Sequence, residues 1–355
     1  MASHAIQIGD RLVGPGQPAY IVAEMSGNHN HDYDAAVQIV KEAKDAGADA
    51  IKLQTYTADT LTIDCDAESF QIPDGNMWSG RTLFDLYTQA YTPWDWQPKL
   101  KAVAEEIGIE LFSAPFDVAA VDFLEALDVN VYKIASFELV DLELVRKVAE
   151  TGKPMIMSTG LSTLAEIEEA VAVARDAGCE ELILLQCTSS YPASPADSNL
   201  RSIPHLAEMF GLPVGLSDHT HGTSIAIAGV AVGACLVEKH LRLRGAKGGP
   251  DAGFSMDPDE LRDLVNGVRV VEEALGPVDY SVTESEEKNR CFRRSLFIIK
   301  DVRKGEALSR ENIRCIRPGN GLPPRFLPNV LGKMAVRDLS RGEPLTWESV
   351  CSVGS

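Results

Sequence analysis

Val214-Gly215-Leu216-Ser217-Asp218-His219-Thr220 is followed, one helix-length run of small residues later, by Cys235-Leu236-Val237-Glu238-Lys239-His240. Two short apolar runs thus each end in a histidine. In a parallel β/α arrangement this spacing sets both imidazoles at the same end of neighbouring strands, about 4.8 Å apart, near enough to hold one divalent ion between the rings. Two histidines that merely terminate strands are the plainer alternative. The company these residues keep decides between them.

Working outward, the stretch supplies the last two of eight β-type runs, at 19–24, 50–54, 110–113, 131–135, 155–157, 181–186, 214–216 and 236–240. Segments with helical periodicity separate most of them, among them 35–46, 119–127, 142–149, 165–177 and 203–210. Several close on a glycine, as at Gly47, Gly152, Gly178 and Gly211, which suits a helix end before the next strand. Strand and helix alternating eight times is the pattern of a (β/α)8 TIM barrel. Residues 55–93, carrying Trp78, Phe84 and Tyr87, interrupt the alternation with a long insertion that serves either the active-site rim or packing.

A helix over 259–275 closes the barrel, so that residues 1–280 form one domain, and the charged stretch 281–293 reads as a linker. In the remaining 294–355, the segment starting at Asp301 returns at Asp338 with Gly305 and Gly342 in register. Such duplication implies a small, pseudo-symmetric β-rich domain, whose core is expected to lean on another surface.

Composition narrows the function. A formal charge of −19 with no basic stripe argues against nucleic acid as a partner. The longest uncharged apolar run, 225–237, is too short to span a bilayer, so no membrane partner is expected. The first residues lack the pattern of a signal peptide, and seven scattered cysteines without a Cys-x-x-Cys pair suggest reduced thiols, so a cytoplasmic location is expected.

Glu24, Lys52, Lys133 and Glu238 stand at the ends of apolar strands. An ionised group would be unsatisfied in the helix layer, so these should face the barrel mouth, with Gln54 beside Lys52 and Glu238 beside His240. Ser113, Ser136, Ser158, Thr159 and Ser217 each fall just past a strand. One such serine usually caps a turn, but several beside two lysines form an anion cradle fit for phosphate. No nucleotide-binding glycine loop occurs. Weaker candidates are the Asn28-His29-Asn30-His31 loop, Tyr191 and Asp251, for which turn formation is the competing explanation.

Together the motifs Ala23-Glu24-Met25-Ser26-Gly27-Asn28-His29-Asn30, Lys52-Leu53-Gln54, Tyr132-Lys133-Ile134-Ala135-Ser136, Ser158-Thr159-Gly160, the segment 215–220 and Glu238-Lys239-His240 resemble sialic acid synthases. Residues 294–355 resemble that family's antifreeze-like (SAF) domain. The resemblance implies condensation of phosphoenolpyruvate with an N-acetylated amino sugar, a divalent metal (Mn2+ or Mg2+), and a domain-swapped homodimer. By motif, His219 and His240 would bind the metal and Glu24 would handle protons. Lys52, Lys133, Ser113, Ser136, Ser158 and Ser217 would hold phosphoenolpyruvate. Tyr191 and Asp251 would meet the sugar or a metal-bound water, and Arg317 would reach the sugar's acyl group from the partner's antifreeze-like domain. Cys187-Thr188-Ser189, where N-acetylneuraminate synthases commonly carry asparagine at the third position, resembles the pseudaminic acid synthase branch, as do the segments 52–57 and 247–251. The sugar implied is 2,4-diacetamido-2,4,6-trideoxy-altrose, with N-acetylneuraminate or legionaminate synthesis as the alternative. Ser189 in place of an amide loses a hydrogen bond to a sugar hydroxyl, which suits a deoxy substrate.

Two other readings stay open at this point. A class I aldolase would use Lys133 or Lys52 as a Schiff base. A non-catalytic carbohydrate-binding protein would leave the strand-end charges unexplained. The metal reading requires the two imidazoles to face each other and the lysines to be free of salt links.

Overall fold

The computed structural model describes residues 4–75, 77–246 and 248–350, so Lys247 of the 247–251 segment lies outside the described residues. The chain divides into two compact units, Met1–Gly276 and Pro277–Ser355.

The first unit opens with a hairpin, β1 (Ile6–Ile8) against β2 (Arg11–Val13). Eight strands follow: β3 (Tyr20–Glu24), β4 (Ala50–Thr55), β5 (Glu110–Pro115), β6 (Tyr132–Ile134), β7 (Met155–Ser158), β8 (Leu182–Cys187), β9 (Val214–Ser217) and β10 (Leu236–His240). They close in the order β10-β3-β4-β5-β6-β7-β8-β9, each parallel to its neighbours. This is the eight-stranded barrel expected from the alternation, with strand ends within about two residues of the sequence reading. The opening hairpin was not anticipated. Its Ile6, Ile8 and Val13 are essentially unexposed and share one core cluster with the lower inward-facing residues of the strands, such as Val22, Phe112 and Ile183. Burying three such side chains contributes roughly 1.5–3 kcal/mol each, enough to hold a short two-stranded plug.

The helices are α1 (Tyr33–Ala46), α2 (Ala58–Leu61), α3 (Leu83–Ala90), α4 (Gln97–Ile107), α5 (Val118–Ala126), α6 (Leu142–Ala149), α7 (Leu164–Asp176), α8 (Ser202–Phe210), α9 (Ser224–Ala231) and α10 (Pro258–Leu275). Their starts are set by side-chain caps at Asp32, Thr82, Asp117, Asp141, Thr163 and Asp257. Gly47 and Gly211 end α1 and α8 in the left-handed region, at φ +93° and +66°. The inner helix faces and the outward strand residues form the apolar layer around the barrel, including Ile51 and Leu53 on one side and Met155 and Met157 on the other.

Strand alternation then sorts every inward position into two levels. The lower level is apolar: Tyr20, Val22, Ala50, Val131, Ile156, Ile183, Leu185 and Leu236. The next inward residue on the same strands is polar: Glu24, Lys52, Lys133, Ser158, Cys187 and Glu238. The register aligns these neighbours, Glu24 with Lys52 and His240, and Ser217 with Glu238 and Cys187. The insertion after β4 holds α2 and α3, and a bridge ties Gln71 to Thr82, the residue that caps α3.

The second unit pairs β11 (Ser295–Ile298) with β12 (Ile313–Ile316) in antiparallel fashion. The duplication has a direct structural counterpart. Val302 and Leu339 exchange both backbone hydrogen bonds, at 2.9 and 2.8 Å. Asp338 accepts from the Lys304 backbone N–H at 2.7 Å, and Asp301 accepts from that of Arg341 at 2.8 Å. Each copy thus caps the turn of the other. Leu296, Ile298, Val302, Leu308, Leu339 and Leu345 belong to its core.

Candidate active site

The polar level at the carboxyl ends of the strands is the floor of a cavity of about 330 Å³. Lys52, Gln54, Lys133, Ser136, Ser158, Tyr191, Ser217, His219, His240 and Asp251, all singled out from sequence, line it, together with Glu238. Glu24 lies beneath this lining, wholly unexposed.

Glu24 accepts from the Ser26 N–H at 2.8 Å with one oxygen and meets the Lys52 ammonium at 2.6 Å with the other. Lys52 also pairs with Glu238 at 3.2 Å. Burial pushes the Glu24 carboxyl upward, only partly opposed by Lys52. Burial works the same way on Glu238, but Lys133 and Lys52 outweigh it and keep that group ionised. Lys52 is itself kept charged by Glu238 and Glu24 against burial. This corrects the expectation for Lys52. Although it lines the cavity, its ammonium is committed to two carboxylates, so the condition that the lysines be free of salt links is met by Lys133 and fails at Lys52.

Lys133 differs. Its Nζ donates to the Ser158 hydroxyl at 2.6 Å and to the Ile134 carbonyl at 3.1 Å, and among the described residues no carboxylate lies within ion-pair distance. Burial lowers its pKa. The Ser136 hydroxyl accepts from the Gly160 N–H at 3.1 Å. A side chain at Gly160 would collide with the Ser136 and Ser189 hydroxyls, so glycine is what leaves room for both. Ser189 Oγ lies 3.7 Å from Cys187 Sγ, although Ser189 is not itself among the cavity-lining residues.

Ser113 is a second correction. It sits on the opposite face of β5 from Phe112, with its hydroxyl 2.6 Å from that of Thr55, which donates to Gln97 of α4 at 2.9 Å. The strand turns it into the helix layer, away from the cavity. Ser113→Ala is therefore expected to lower the thermal midpoint by the loss of about 1 kcal/mol of hydrogen bonding. Turnover should stay within about two-fold of the unsubstituted protein's, and a loss of about ten-fold or more would return Ser113 to the site.

The imidazoles of His219 and His240 face each other edge to face, with ring centroids 5.3 Å apart. His219 Nδ1 lies 3.0 Å from the Thr188 carbonyl, which favours the tautomer that leaves Nε2 open. His240 Nδ1 is buried without a hydrogen-bond partner among the described residues. Burial holds His240 well below its ordinary pKa and hence neutral. A neutral imidazole with an open lone pair fits a divalent cation. Among the described residues no group of three or more His, Cys, Asp or Glu forms a ligand set, so these two rings are the protein's offer.

Several contributors escaped the sequence reading. Phe254 packs against both imidazoles, at centroid distances of 5.9 and 4.8 Å, beside Tyr191, which the sequence did single out and which stacks on His219 at 4.5 Å. Ser26 hydrogen-bonds to Asp251, whose carboxyl burial pushes upward. Glu138 also lines the cavity, and burial raises its carboxyl to about 7. Its place just past β6, two residues beyond Ser136, was the available signal. Burial pushes the Cys187 thiol up, but His219 beside it brings it down to about 7. Lys239, between Glu238 and His240, points the other way and donates to Asp218, to the Thr220 carbonyl and to the Gly222 carbonyl, at 2.9, 2.7 and 3.1 Å. All three ammonium hydrogens thereby pin the loop that carries His219.

The insertion supplies the remaining wall. Leu61, Ile72, Leu83 and Leu86 face the cavity with Tyr56, Trp78 and Tyr87. It is tied down at several points: the Trp78 indole donates to the Pro250 carbonyl at 2.6 Å, His29 lies 3.1 Å from the Thr92 hydroxyl, and His31 lies 3.1 Å from the Thr88 carbonyl. His29 and His31 thus serve as ties between loops. Arg317 follows β12 in the second unit.

A model of the NeuB family matches residues 39–280 of this chain, and a SAF domain model matches residues 293–350. The chain is 42% identical over 340 residues to a pseudaminic acid synthase of Campylobacter jejuni, covering 96% of this chain and 98% of that one. It is 35% identical over 342 residues to an N,N'-diacetyllegionaminic acid synthase of Legionella pneumophila, covering 95% and 96%. Among solved structures, the spore coat polysaccharide biosynthesis protein spsE of Bacillus subtilis superposes with a TM-score of 0.67 at 33% identity, covering 99% of this chain and 100% of that one.

Proposed function

The chain belongs to the NeuB family, and from that membership we propose that it condenses phosphoenolpyruvate with 2,4-diacetamido-2,4,6-trideoxy-altrose and water, giving pseudaminate and phosphate. The observation that carries this reading is the Lys133 ammonium, paired with no carboxylate among the described residues and set among serine hydroxyls beside two opposed imidazoles at one barrel mouth.

Lys133, with Ser136, Ser158 and Ser217, would hold the phosphate and carboxylate of phosphoenolpyruvate. The sugar, in open-chain form, would present its aldehyde carbon to C3 of the enol. The new carbon–carbon bond forms there, water adds at C2, and the C2–O bond to phosphate breaks. A divalent cation, Mn2+ or Mg2+, held by His219 and His240 would supply Lewis-acid polarisation of the aldehyde oxygen. Glu24, whose carboxyl is raised by burial and paired with Lys52, is assigned the proton transfers, giving one to the developing alkoxide and taking one from the adding water. Lys52, between Glu24 and Glu238, balances the two carboxylates as that proton moves. Gln54, Ser189, Tyr191 and Asp251 are assigned to the sugar. Arg317 would meet the acyl group of a sugar bound by a second copy, in a domain-swapped homodimer. Among the described residues no helix is long and apolar enough to cross a membrane, and we assign the reaction to the cytoplasm.

The same chemistry would serve N-acetylneuraminate or legionaminate synthesis. Ser189 and the higher identity to the pseudaminic acid synthase favour the deoxy sugar. A screen of six-carbon amino sugars with phosphoenolpyruvate, read by mass detection, tests both levels. The trideoxy diacetamido sugar should give the nine-carbon acid and one phosphate each turn at the highest kcat/KM. Preference for N-acetylmannosamine would refute the branch, and no nine-carbon product from any sugar would refute the reaction.

A further inference from the structure

We propose that the insertion between β4 and α4 is the element that selects the sugar, through an aliphatic wall that accepts a methyl group and penalises a hydroxyl. The proposal rests on the condensation reading above and goes beyond it by assigning the selectivity to Leu61 and Leu83.

The cavity has two chemically distinct sides. The strand ends contribute the charged and hydroxyl groups, and the insertion contributes Leu61, Ile72, Leu83 and Leu86. Among the described residues that the insertion sends to the cavity, the hydrogen-bonding side chains are Tyr56, Trp78 and Tyr87. The Trp78 indole already donates to the Pro250 carbonyl. Tyr56 and Tyr87 pack edge to face at 5.8 Å, and Tyr56 packs on Phe116 at 5.0 Å, which fixes both phenol rings.

Geometry decides which end of a sugar meets this wall. The reacting aldehyde carbon belongs at the imidazole pair, beside the enol. The far end of a six-carbon chain must then reach away from the strand ends, where the insertion stands. A terminal hydroxymethyl placed against Leu61 and Leu83 gives up its hydrogen bonds to water and meets only aliphatic carbon in return, whereas a terminal methyl gains apolar burial. The ties from Trp78, His29 and His31 to neighbouring loops make the wall a preformed surface, and so able to discriminate. Leu61 and Leu83 are half-buried, so a polar replacement at either changes the surface without opening the core.

The test compares kcat/KM for 2,4-diacetamido-2,4,6-trideoxy-altrose with that for its 6-hydroxy counterpart, in the full-length protein with phosphoenolpyruvate present. A hydrophobic pocket discriminates at this level by about 10- to 100-fold, and that preference for the deoxy sugar is expected of the unsubstituted protein. Leu61→Asn and Leu83→Asn should each narrow it to about three-fold or less, with KM for phosphoenolpyruvate unchanged, while Leu61→Met keeps it. Because the readout is a ratio within one protein, partial unfolding cancels. An unchanged ratio in both asparagine variants, or a wild-type preference for the hydroxylated sugar, would overturn the assignment. If the unsubstituted protein consumes phosphoenolpyruvate with neither sugar, the condensation reading fails instead, which is a separate result.

Discussion

Replacing Lys133 by methionine is expected to cut kcat/KM for phosphoenolpyruvate about 10³-fold. Two charge-assisted hydrogen bonds at roughly 2 kcal/mol each give about 4 kcal/mol, and each 1.36 kcal/mol is a factor of ten. Nearly all of the loss should be shared by kcat and KM for phosphoenolpyruvate, with KM for the sugar little changed. The fold should not suffer. Burial depresses the Lys133 pKa, which means the folded protein disfavours that ammonium, and a neutral side chain of similar length relieves the penalty. The contrast with Lys52 makes this diagnostic. Lys52→Met would leave Glu24 and Glu238 facing each other without their shared cation, so it should destabilise the barrel by about 3–5 kcal/mol. Equal stability losses in the two variants, measured by urea unfolding, or an unchanged kcat/KM in Lys133→Met, would show that the two lysines have been assigned the wrong parts.

His219→Ala and His240→Ala should each abolish metal-dependent turnover, by about 10³-fold or more, while leaving the far-ultraviolet circular dichroism unchanged. Each removes one of two nitrogens offered to the cation, and neither imidazole carries the barrel's packing. His240 is the sharper case, because its Nδ1 is buried and unpartnered among the described residues and its charge is suppressed. Direct titration with Mn2+, followed by electron paramagnetic resonance, should find one bound ion per chain in the unsubstituted protein and loss of that binding in both variants. Turnover that persists in EDTA, or bound Mn2+ that survives both substitutions, would remove the metal assignment.

The barrel was legible because its strands obey a strict parity that the sequence displays. Once Glu24, Lys52 and Lys133 are required to face inward, their neighbours at odd steps face the helices. The same parity, applied to β5, would have turned Ser113 outward, because Leu111 belongs with the helix layer and Phe112 with the barrel interior. Proximity to a strand end is therefore not enough, and the face must be counted. Lys52 was misjudged for a different reason. Its neighbour across the register, Glu24, stands on another strand, and the second partner, Glu238, closes the ring from β10. Such pairing depends on barrel closure, which no local pattern encodes. The insertion wall was illegible for want of periodicity, since α2 is a single turn and its cavity-facing residues are scattered along the loop. Glu138 lies in the short connection between β6 and α6, and Phe254 in the long one between β10 and α10, and neither segment has a period that would reveal which way its side chains face.

Phosphorus-31 resonance of phosphoenolpyruvate incubated with this protein and Mg2+ tests the central assignment most directly. Without sugar, the enol phosphate signal should persist. On addition of 2,4-diacetamido-2,4,6-trideoxy-altrose it should be replaced, mole for mole, by inorganic phosphate. A signal that persists after the sugar is added, or phosphate that appears equally fast in its absence, would contradict the assignment.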